Sequence, residues 1–421
     1  MLKIATVCSG IGSPEQALSM LNIPHQISFA CEIDKYARQT YLANYDPALM
    51  LTDMTKEDWI GEQYYSDLFI GGIPCQAFSL AGKRLGELDP RGLLFYDFYR
   101  YVKNQQPKVF IIENVKGLLS DANGTTFQNW IQLLGRSLNT QENMFNHPDS
   151  LMYNLHYTVM NSKNFGVPQN RERVFLVGIR NDLPNTFRFP IGYRLTKRLK
   201  DILEPIVDEK YYLSDTLLKW IHSHREKRQS SGKFPYTEND ISGCLTARYY
   251  KTGAEDVYIQ EPICVAMRGR NPENANDRTT GAKLQQTLEP NSQGITNTIT
   301  SVQKDNLIIE PELKQVYQLD GFESEGRVYD VNGLSRTIKN GGGGGAKTGW
   351  YEVEDVKSRI RRLTPLECMR LQGFPDEFIK PCSDSQTYKQ AGNSITTTVI
   401  KGIIENALSI LECETQLFKA S

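Results

Sequence analysis

A cysteine that follows an apolar run and a proline is the first candidate for covalent chemistry. The run Leu68–Ile70 predicts a buried strand, and Gly71-Gly72-Ile73-Pro74-Cys75-Gln76 comes directly after it. Because ligands of open α/β sheets bind outside the carboxyl ends of the strands, Cys75 is placed as a nucleophile should be. The other cysteines are scattered without a Cys-x-x-Cys pair, which predicts inert core thiols rather than a metal site or a disulfide scaffold.

Charged residues adjoin two further apolar runs and are candidates to assist such a nucleophile. Glu113 ends the very apolar run Phe110–Ile112, where a carboxyl group is suited to proton donation. The structural alternative is that Glu113 only caps the next turn. Arg171 and Arg173 lie directly before the run Val174–Ile179, either as a solvated edge or as contacts to a substrate.

Glycines after the first apolar run, Ile4–Cys8, predict a ligand-binding turn. The sequence Ser9-Gly10-Ile11-Gly12-Ser13 brings backbone amides close to a ligand at the start of a helix, which Ser13 is expected to cap. Glu32 follows about 20 residues later, at the end of the second run, where an acidic side chain binds a ribose diol. Asp53 ends a third run and is a candidate for an adenine amino group. Together they predict a nucleoside-containing ligand, with a dinucleotide and S-adenosylmethionine left as alternatives.

Alternating strands and helices must hold these residues at one edge of a sheet. Strands are predicted at Ile4–Cys8, Ile27–Cys31, Leu68–Ile70, Val109–Ile112 and Val174–Ile179, and helices at Pro14–Leu21, Tyr36–Asn44, Phe95–Val102 and Phe127–Leu134. This order is typical of the α/β class, in which helices cover a parallel sheet. Helical patterning returns at about residue 359, and Thr364-Pro365-Leu366-Glu367 predicts a capping box at a helix start.

The middle of the chain, between about residues 180 and 358, has a different character. Gly, Thr, Asn and Gln increase there, and helical periodicity fades. Three of its segments are similar to one another: Ile241–Thr246, Ile295–Thr300 and Leu334–Lys339. Their unequal intervals predict a weak internal repeat rather than a solenoid. Basic side chains accompany the segments, as solvated surface or as phosphate contacts: Arg248, Arg268 and Arg336.

Length and composition bound the class of protein. At 421 residues two or three domains are expected, and 39% hydrophobic with 23% charged residues exclude a disordered chain. The net charge of −1 excludes a protein coated in positive charge, but it is compatible with a basic cleft balanced by acidic surface elsewhere. No apolar run approaches the roughly 20 residues of a membrane span. A soluble, cytoplasmic protein is therefore expected.

The order of the motifs is more specific than any one of them. After the glycine turn and Glu32 come Pro-Cys-Gln at Cys75, Glu-Asn-Val at Glu113, Gln-x-Arg-x-Arg, Arg361–Cys368 and Gly392-Asn393-Ser394. This series resembles the cytosine carbon-5 DNA methyltransferases of bacterial or phage type, over about residues 1–180 and 359–400. The resemblance implies a Rossmann-like methyltransferase domain with a mostly parallel sheet over 1–185. It also implies a smaller, β-rich target-recognition domain over 186–375 and a return to the catalytic domain over 376–421.

The same resemblance implies roles for individual residues. Cys75 would add to carbon 6 of a cytosine, Glu113 would engage ring N3 and the exocyclic amine, and Arg173 would contact the base, with Arg171 as a helper. The implied methyl donor is S-adenosylmethionine, and the matching cofactor positions are Ser9, Gly10, Ile11, Gly12, Glu32, Ile33, Asp53, Met54, Pro74, Leu94 and Asn393. Because a stacked cytosine cannot reach such a pocket, base flipping is implied. The implied DNA contacts are Ser79, Lys83, Arg84, Arg248, Arg268 and Arg336.

Three positions depart from the family pattern at the cofactor site. Thr6 and Cys8 stand where the family often has Asp and Phe, and Ile33 stands where it often has Trp. We therefore expect the cofactor pocket to be lined differently, with the chemistry unaffected.

Several alternatives differ from this reading in substrate or in class. A related enzyme that methylates cytosine in tRNA would carry a Cys-Phe-Thr signature, which this sequence lacks. A non-catalytic DNA-binding regulator would be expected to lack Cys75 or Glu113, and a nicotinamide-dependent oxidoreductase leaves both unexplained. The expected partner is duplex DNA, with a separate cognate restriction endonuclease as a further candidate, and the chain is expected to be a monomer.

Overall fold

The computed structural model describes residues 1–73, 94–137, 147–230, 232–261, 263–270, 285–290, 307–309, 315–318, 327–329 and 360–417. The strands are β1 (Leu2–Val7), β2 (His25–Cys31), β3 (Leu49–Leu51), β4 (Leu68–Gly72), β5 (Val109–Val115), β6 (Gly135–Ser137), β7 (Tyr153–Asn161), β8 (Glu172–Ile179), β9 (Tyr258–Gln260), β10 (Ile263–Arg270), β11 (Gln285–Pro290), β12 (Leu307–Ile309), β13 (Gln315–Gln318), β14 (Arg327–Tyr329) and β15 (Ile360–Arg362). The α-helices are α1 (Ser13–Met20), α2 (Lys35–Asn44), α3 (Leu94–Gln105), α4 (Thr125–Leu134), α5 (Asp215–Arg228), α6 (Pro365–Leu371), α7 (Asp384–Asn393) and α8 (Thr397–Leu417).

An eight-stranded sheet, in the order β3-β2-β1-β4-β5-β8-β7-β6, forms the centre of the fold. The neighbours from β3 to β5 pair in parallel, whereas β8 runs antiparallel to both β5 and β7. The carboxyl ends of the parallel strands therefore meet at one edge. Because β8 is reversed, its first residues lie at that same edge, where Arg173 pairs with Val115 of β5.

Alternating side chains of the central strands divide the core into two layers. On β5, Phe110 and Ile112 belong to a cluster on one face of the sheet, and Val109 and Ile111 to a cluster on the other. Helices α3 and α4 contribute to the first cluster, and α1 and α8 to the second. Both faces are covered, which explains why these strands read as continuous apolar runs. The predicted α/β, Rossmann-like fold with a mostly parallel sheet is confirmed.

The sequence reading missed three strands of the sheet. Strands β3 and β6 have only three residues each, too few to show a period. Strand β7 is long and alternates apolar with polar residues from Tyr153 to Val159, the pattern of a half-buried strand rather than a continuous apolar run. Its place in the sheet depends on pairing with β8 from Asn154 to Asn161, which is a tertiary contact.

The chain divides into two compact units. The first comprises residues 1–205, 239–256 and 364–421, and the second 206–238 and 257–363. This division does not coincide with the predicted boundaries at 185 and 375, since 186–205, 239–256 and 364–375 belong to the first unit. The reason for 239–256 is local pairing: Ser242 N donates to Pro168 O at 2.9 Å, and Asn170 N donates to Ser242 O at 3.0 Å.

The second unit contains helix α5 and short antiparallel pairings. Strand β10 pairs with β11 and β12, β13 pairs with β14, and β9 pairs with β15. Within it, Arg361 is 1% exposed, and its Nε lies 2.6 Å from Glu261 Oε1. In the described part of the chain, no helix combines the length and apolarity needed to cross a membrane.

The predicted capping box at the start of α6 is confirmed. Thr364 Oγ1 accepts from Glu367 N at 3.2 Å, and Glu367 Oε2 accepts from Thr364 N at 2.8 Å. The other oxygen of Glu367 accepts from Glu204 N at 2.8 Å, so this fully buried carboxyl group also fixes the chain before the second unit begins. Thr364 and Glu367 are therefore structural residues.

Candidate functional site

A cleft of about 360 Å³ opens at the carboxyl end of β1. Its walls come from both ends of the first unit: the end of β1 with the glycine turn, the end of β4, and the segment Asn393–Ile395 after α7. Ser9, Gly10 and Ile11 line it together with Asn393, so these predicted cofactor residues meet at one place. Thr6 and Cys8, two of the three positions that depart from the family pattern, also line this cleft.

The glycine turn has a backbone that favours glycine at two positions. Gly10 has φ +56° and Gly12 has φ +87°, both in the left-handed region. A Cβ on Gly12 would lie 2.2 Å from the ring of Tyr45, whereas one on Gly10 would meet nothing within 4 Å. The expectation that Ser13 caps α1 is wrong, because the N-cap is Gly12 and no side chain bonds to the cap. The left-handed conformation of Gly12 turns the chain into the helix one residue earlier than expected.

Glu32 connects the end of β2 to the glycine turn. Its two oxygens accept from Gly10 N and from Asp34 N, each at 2.8 Å. Burial raises the pKa of the Glu32 carboxyl, against the lowering effect of these backbone bonds. Each oxygen accepts one of these two bonds, and a carboxylate oxygen has capacity for another. Ile33, the next residue, is 75% exposed and presents an apolar surface.

The remaining predicted cofactor residues have more local roles. Asp53 Oδ1 accepts from the amide and hydroxyl of Thr55 at 3.1 and 2.8 Å, and the hydroxyl bond is the main cause that lowers the Asp53 pKa. Met54 is buried in the core cluster, and Leu94 packs against that cluster at the start of α3. Pro74 lies outside the described residues. Sequence position alone therefore did not separate ligand-facing residues from structural ones here.

A buried carboxylate and a guanidinium meet at the same sheet edge. Glu113 is 8% exposed near the end of β5, and Arg173 Nε lies 3.2 Å from its Oε1. Gly72, the last residue of β4, pairs with Glu113, and a Cβ there would lie 3.9 Å from Glu113 Oε2. Cys75 follows Gly72 by three positions in the sequence and lies outside the described residues. Glu113 and Arg173 are thus brought together by the reversed direction of β8.

Most partners of Arg171 differ from those of Arg173. The side chain of Arg171 is enclosed, with 3% of the residue exposed, and donates to three backbone carbonyls: Ser394 O at 2.9 Å, Leu245 O at 3.1 Å and Gly392 O at 3.3 Å. Burial, followed by the nearby charge of Arg173, lowers the pKa of the Arg171 guanidinium. The side chain therefore holds the segment after α7, which lines the cleft, against the start of β8.

Sequence reasoning missed Glu15, a buried acid directly behind the cleft. Glu15 is 0% exposed, and its Oε1 accepts from Thr6 Oγ1 at 2.9 Å and from Tyr41 OH at 2.7 Å. Its Oε2 is buried without a hydrogen-bond partner. Burial raises the pKa of this carboxyl. Acids are common in the first turn of a helix, so nothing in the sequence distinguished Glu15 from an exposed one.

We expect the contribution of Glu15 to the free energy of unfolding to decrease as pH rises, which is the direction opposite to that of an acid stabilised in its charged form. Its folded-state pKa lies above the unfolded value near 4.5, so its contribution to the free energy of unfolding is full below that value and is lost as pH rises through the folded pKa. In Glu15→Gln this loss should vanish, because the amide oxygen still accepts from Tyr41 and carries no charge. Urea melts of both proteins between pH 5 and 8 measure the difference.

The matched control for this prediction is Glu15→Ala. It leaves the buried hydroxyls of Thr6 and Tyr41 without their acceptor and should lower the free energy of unfolding by about 1–3 kcal/mol relative to Glu15→Gln at every pH. The prediction is wrong if the free energy of unfolding of the wild type, compared with that of Glu15→Gln, does not fall as pH rises.

Few of the predicted DNA-binding side chains fall in the described residues. Arg248 is exposed and directly precedes a short 3₁₀ helix, Tyr249–Lys251, in the first unit. Arg268 lies in β10, for which the backbone is described. The others lie outside the described residues: Ser79, Lys83, Arg84 and Arg336. A basic cleft balanced by acidic surface elsewhere, with which the net charge is compatible, stays a prediction.

Comparison with known proteins gives consistent matches over nearly the whole chain. The family model described as C-5 cytosine-specific DNA methylase matches residues 2–409. Orphan methyltransferase M.SPRI of Bacillus phage SPR is 32% identical, over 97% of this chain and 97% of its own. Type II methyltransferase M1.ScrFI of Lactococcus lactis subsp. cremoris is 31% identical, over 91% of this chain and 72% of its own.

A solved structure supports the fold independently. The Dnmt2 methyltransferase of S. pombe superposes with a TM-score of 0.59, covering 98% of this chain and 99% of its own. At 18% identity the likeness concerns the architecture alone.

Proposed function

This chain belongs to the C-5 cytosine-specific DNA methylase family, and on that premise we propose that it transfers a methyl group from S-adenosylmethionine to carbon 5 of a flipped cytosine in duplex DNA. The observation that carries the proposal at the level of chemistry is the Glu113–Arg173 pair. It combines a buried acid with a cation 3.2 Å away, beside the strand end that precedes Cys75. Such a pair can bind the polar edge of a pyrimidine and hold a proton at its ring nitrogen.

The residues of the cleft fit S-adenosylmethionine. The open space at Gly10 allows close approach to the backbone, Glu32 can accept from the ribose hydroxyls, and exposed Ile33 can pack against the adenine. Asn393 supplies a polar group from the opposite wall. When bound, the cofactor provides the electrophilic methyl group.

The roles proposed for this chain's residues follow the electron flow through the base. The thiolate of Cys75 adds to carbon 6, while Glu113 protonates or hydrogen-bonds ring N3 and so accepts the displaced electron density. Carbon 5 becomes electron-rich and takes the methyl group. A base then removes the carbon-5 proton, the bond to Cys75 breaks, and the ring recovers its aromaticity. Arg173 keeps Glu113 oriented and balances its charge, and Arg171 holds the wall of the cleft.

We assign DNA recognition to the β-rich second unit in the middle of the chain. The basic and polar residues proposed to contact the DNA are Arg248, Arg268, Arg336, Ser79, Lys83 and Arg84. We also propose that the protein acts as a monomer in the cytoplasm. Among the relatives, one is named an orphan methyltransferase and another a type II methyltransferase. A protective role follows for this chain, with a separate cognate endonuclease as a candidate partner.

The test compares two substrates with purified protein and tritiated S-adenosylmethionine. Label should enter duplex DNA, bisulfite sequencing should place it on cytosine within a short recurring sequence, and tRNA should remain unlabelled. Binding to the duplex should weaken strongly with salt, since phosphate contacts release counterions. Label that enters tRNA and not DNA would overturn the choice of substrate.

A further inference from the structure

Cys244 lies against both arginines of the proposed catalytic site. Its Sγ accepts from Arg171 NH1 at 3.4 Å and from Arg173 NH2 at 3.9 Å. Cys244 belongs to the segment 239–256, which joins the first unit although it lies within the predicted recognition region. None of the family motifs includes this cysteine.

The position of Cys244 is set by its neighbours. Ser242 is fully buried and pairs through its backbone with Pro168 and Asn170. On the other side, Leu245 N donates to Gln169 Oε1 at 3.3 Å, and Leu245 O accepts from Arg171. These contacts hold the backbone on both sides of Cys244 in place, close to the two guanidinium groups.

The contact with Cys244 is one of three described contacts of the Arg173 guanidinium. Its Nε faces Glu113, its NH1 donates to Glu172 O at 2.7 Å, and its NH2 donates to the sulfur of Cys244. A long arginine side chain loses rotamer freedom when it is held in one geometry, and each additional acceptor offsets part of that cost.

We infer that Cys244 is a positioning residue, whose sulfur accepts from Arg171 and Arg173 and thereby holds the guanidinium of Arg173 against Glu113. The inference rests on the proposed function, because it gives Arg173 and Glu113 their roles at the cytosine. The side chain of Cys244 thereby connects the predicted recognition region to Arg173 of the catalytic pair.

The electrostatic surroundings of the sulfur support this role. Desolvation at the sulfur would by itself raise the pKa of the Cys244 thiol, although the residue as a whole is exposed, but the guanidinium groups of Arg171 and Arg173 outweigh that effect and lower it. A thiolate accepts hydrogen bonds more strongly than a thiol, since a charged acceptor strengthens the bond.

The repeat within the sequence provides a conservative replacement. Cys244 aligns with Thr298 and Thr337 in the two similar segments Ile295–Thr300 and Leu334–Lys339. Threonine has a hydroxyl that can accept from an arginine, whereas alanine has no acceptor. Cys244→Thr should therefore restore most of what Cys244→Ala loses.

The experiment is a double-mutant cycle on methyl transfer to duplex DNA, with Arg173→Lys as the second change. We expect Cys244→Ala to lower kcat about tenfold with KM for DNA nearly unchanged, and Cys244→Thr to recover most of the rate. In the Arg173→Lys background, which lacks the guanidinium fork, Cys244→Ala should lower kcat by less than about twofold. Cys382→Ala, which removes another thiol of the same unit, is the control and should match the wild type.

Each contrary result has a distinct meaning. An unchanged kcat in Cys244→Ala, or an equal loss in both backgrounds, overturns the inference while leaving the proposed function in place. A normal kcat in Arg173→Lys alone removes Arg173 from the chemistry and overturns the inference, whereas absence of methyl transfer to duplex DNA by the wild-type protein overturns the proposed function. Melting temperatures of all variants show whether a lost rate reflects lost folding.

Discussion

A duplex that contains 5-fluorocytosine at the target base should form a covalent complex with the wild-type protein and none with Cys75→Ala. The thiolate of Cys75 adds to carbon 6 and carbon 5 receives the methyl group, but fluorine cannot leave carbon 5 as a proton does. The bond to Cys75 then persists. Denaturing gels with labelled DNA measure the complex, and mass spectrometry of the digested protein identifies the peptide that carries it.

The control for trapping is another cysteine of the first unit. Cys382→Ala should form the complex to the same extent. The Sγ of Cys382 contacts the carbonyl oxygen of Tyr36, and Cys382 is not among the proposed catalytic residues. Omitting S-adenosylmethionine should remove the stable complex, since methyl transfer precedes the blocked step. A complex that survives Cys75→Ala would refute the nucleophile.

Glu113→Gln should lower kcat by roughly 10²- to 10⁴-fold, the usual contribution of a positioned acid or base. The amide keeps the shape of the side chain and can still accept from Arg173, but it cannot hold a proton for transfer to ring N3. The affinity for duplex DNA should change little. Single-turnover rates with saturating cofactor, alongside equilibrium binding of the same duplex, separate the two quantities.

Glu172→Gln is the matched control for Glu113. Glu172 lies next to Arg173 on β8, is exposed, and pairs with Lys116 at 3.1 Å on the surface. Exposed ion pairs contribute about 0–1 kcal/mol, so this variant should keep the wild-type rate. If Glu113→Gln instead loses binding and rate in equal measure, its carboxyl group is structural.

Much of the fold and the order of the functional motifs could be predicted from the sequence. Strands β1, β2, β4, β5 and β8 are apolar runs because both faces of the sheet are covered, and burial on two sides leaves a local signal. Glycines that need a left-handed backbone, such as Gly10 and Gly12, are also local requirements. The family resemblance depends on such short motifs in a particular order, which is a property of the chain itself.

Other parts of the site depend on residues that are distant in the sequence. Strand β7 alternates apolar and polar residues, but its place beside β8 in the sheet is set by its pairing with β8. Arg171 was expected to help the chemistry, but its bonds go to carbonyls of Leu245, Gly392 and Ser394. No pattern near Arg171 could indicate partners contributed by two other segments.

By itself, the sequence therefore determined the α/β class, the family and the candidate nucleophile, acid and glycine turn. Only the tertiary structure decided that β8 runs backwards and brings Arg173 to Glu113, that Glu15 is enclosed with Tyr41, and that Cys244 joins the two arginines. The physical reason is that apolar periodicity and backbone conformation are local properties. A buried polar group acquires its role from whichever partners folding brings within hydrogen-bond distance.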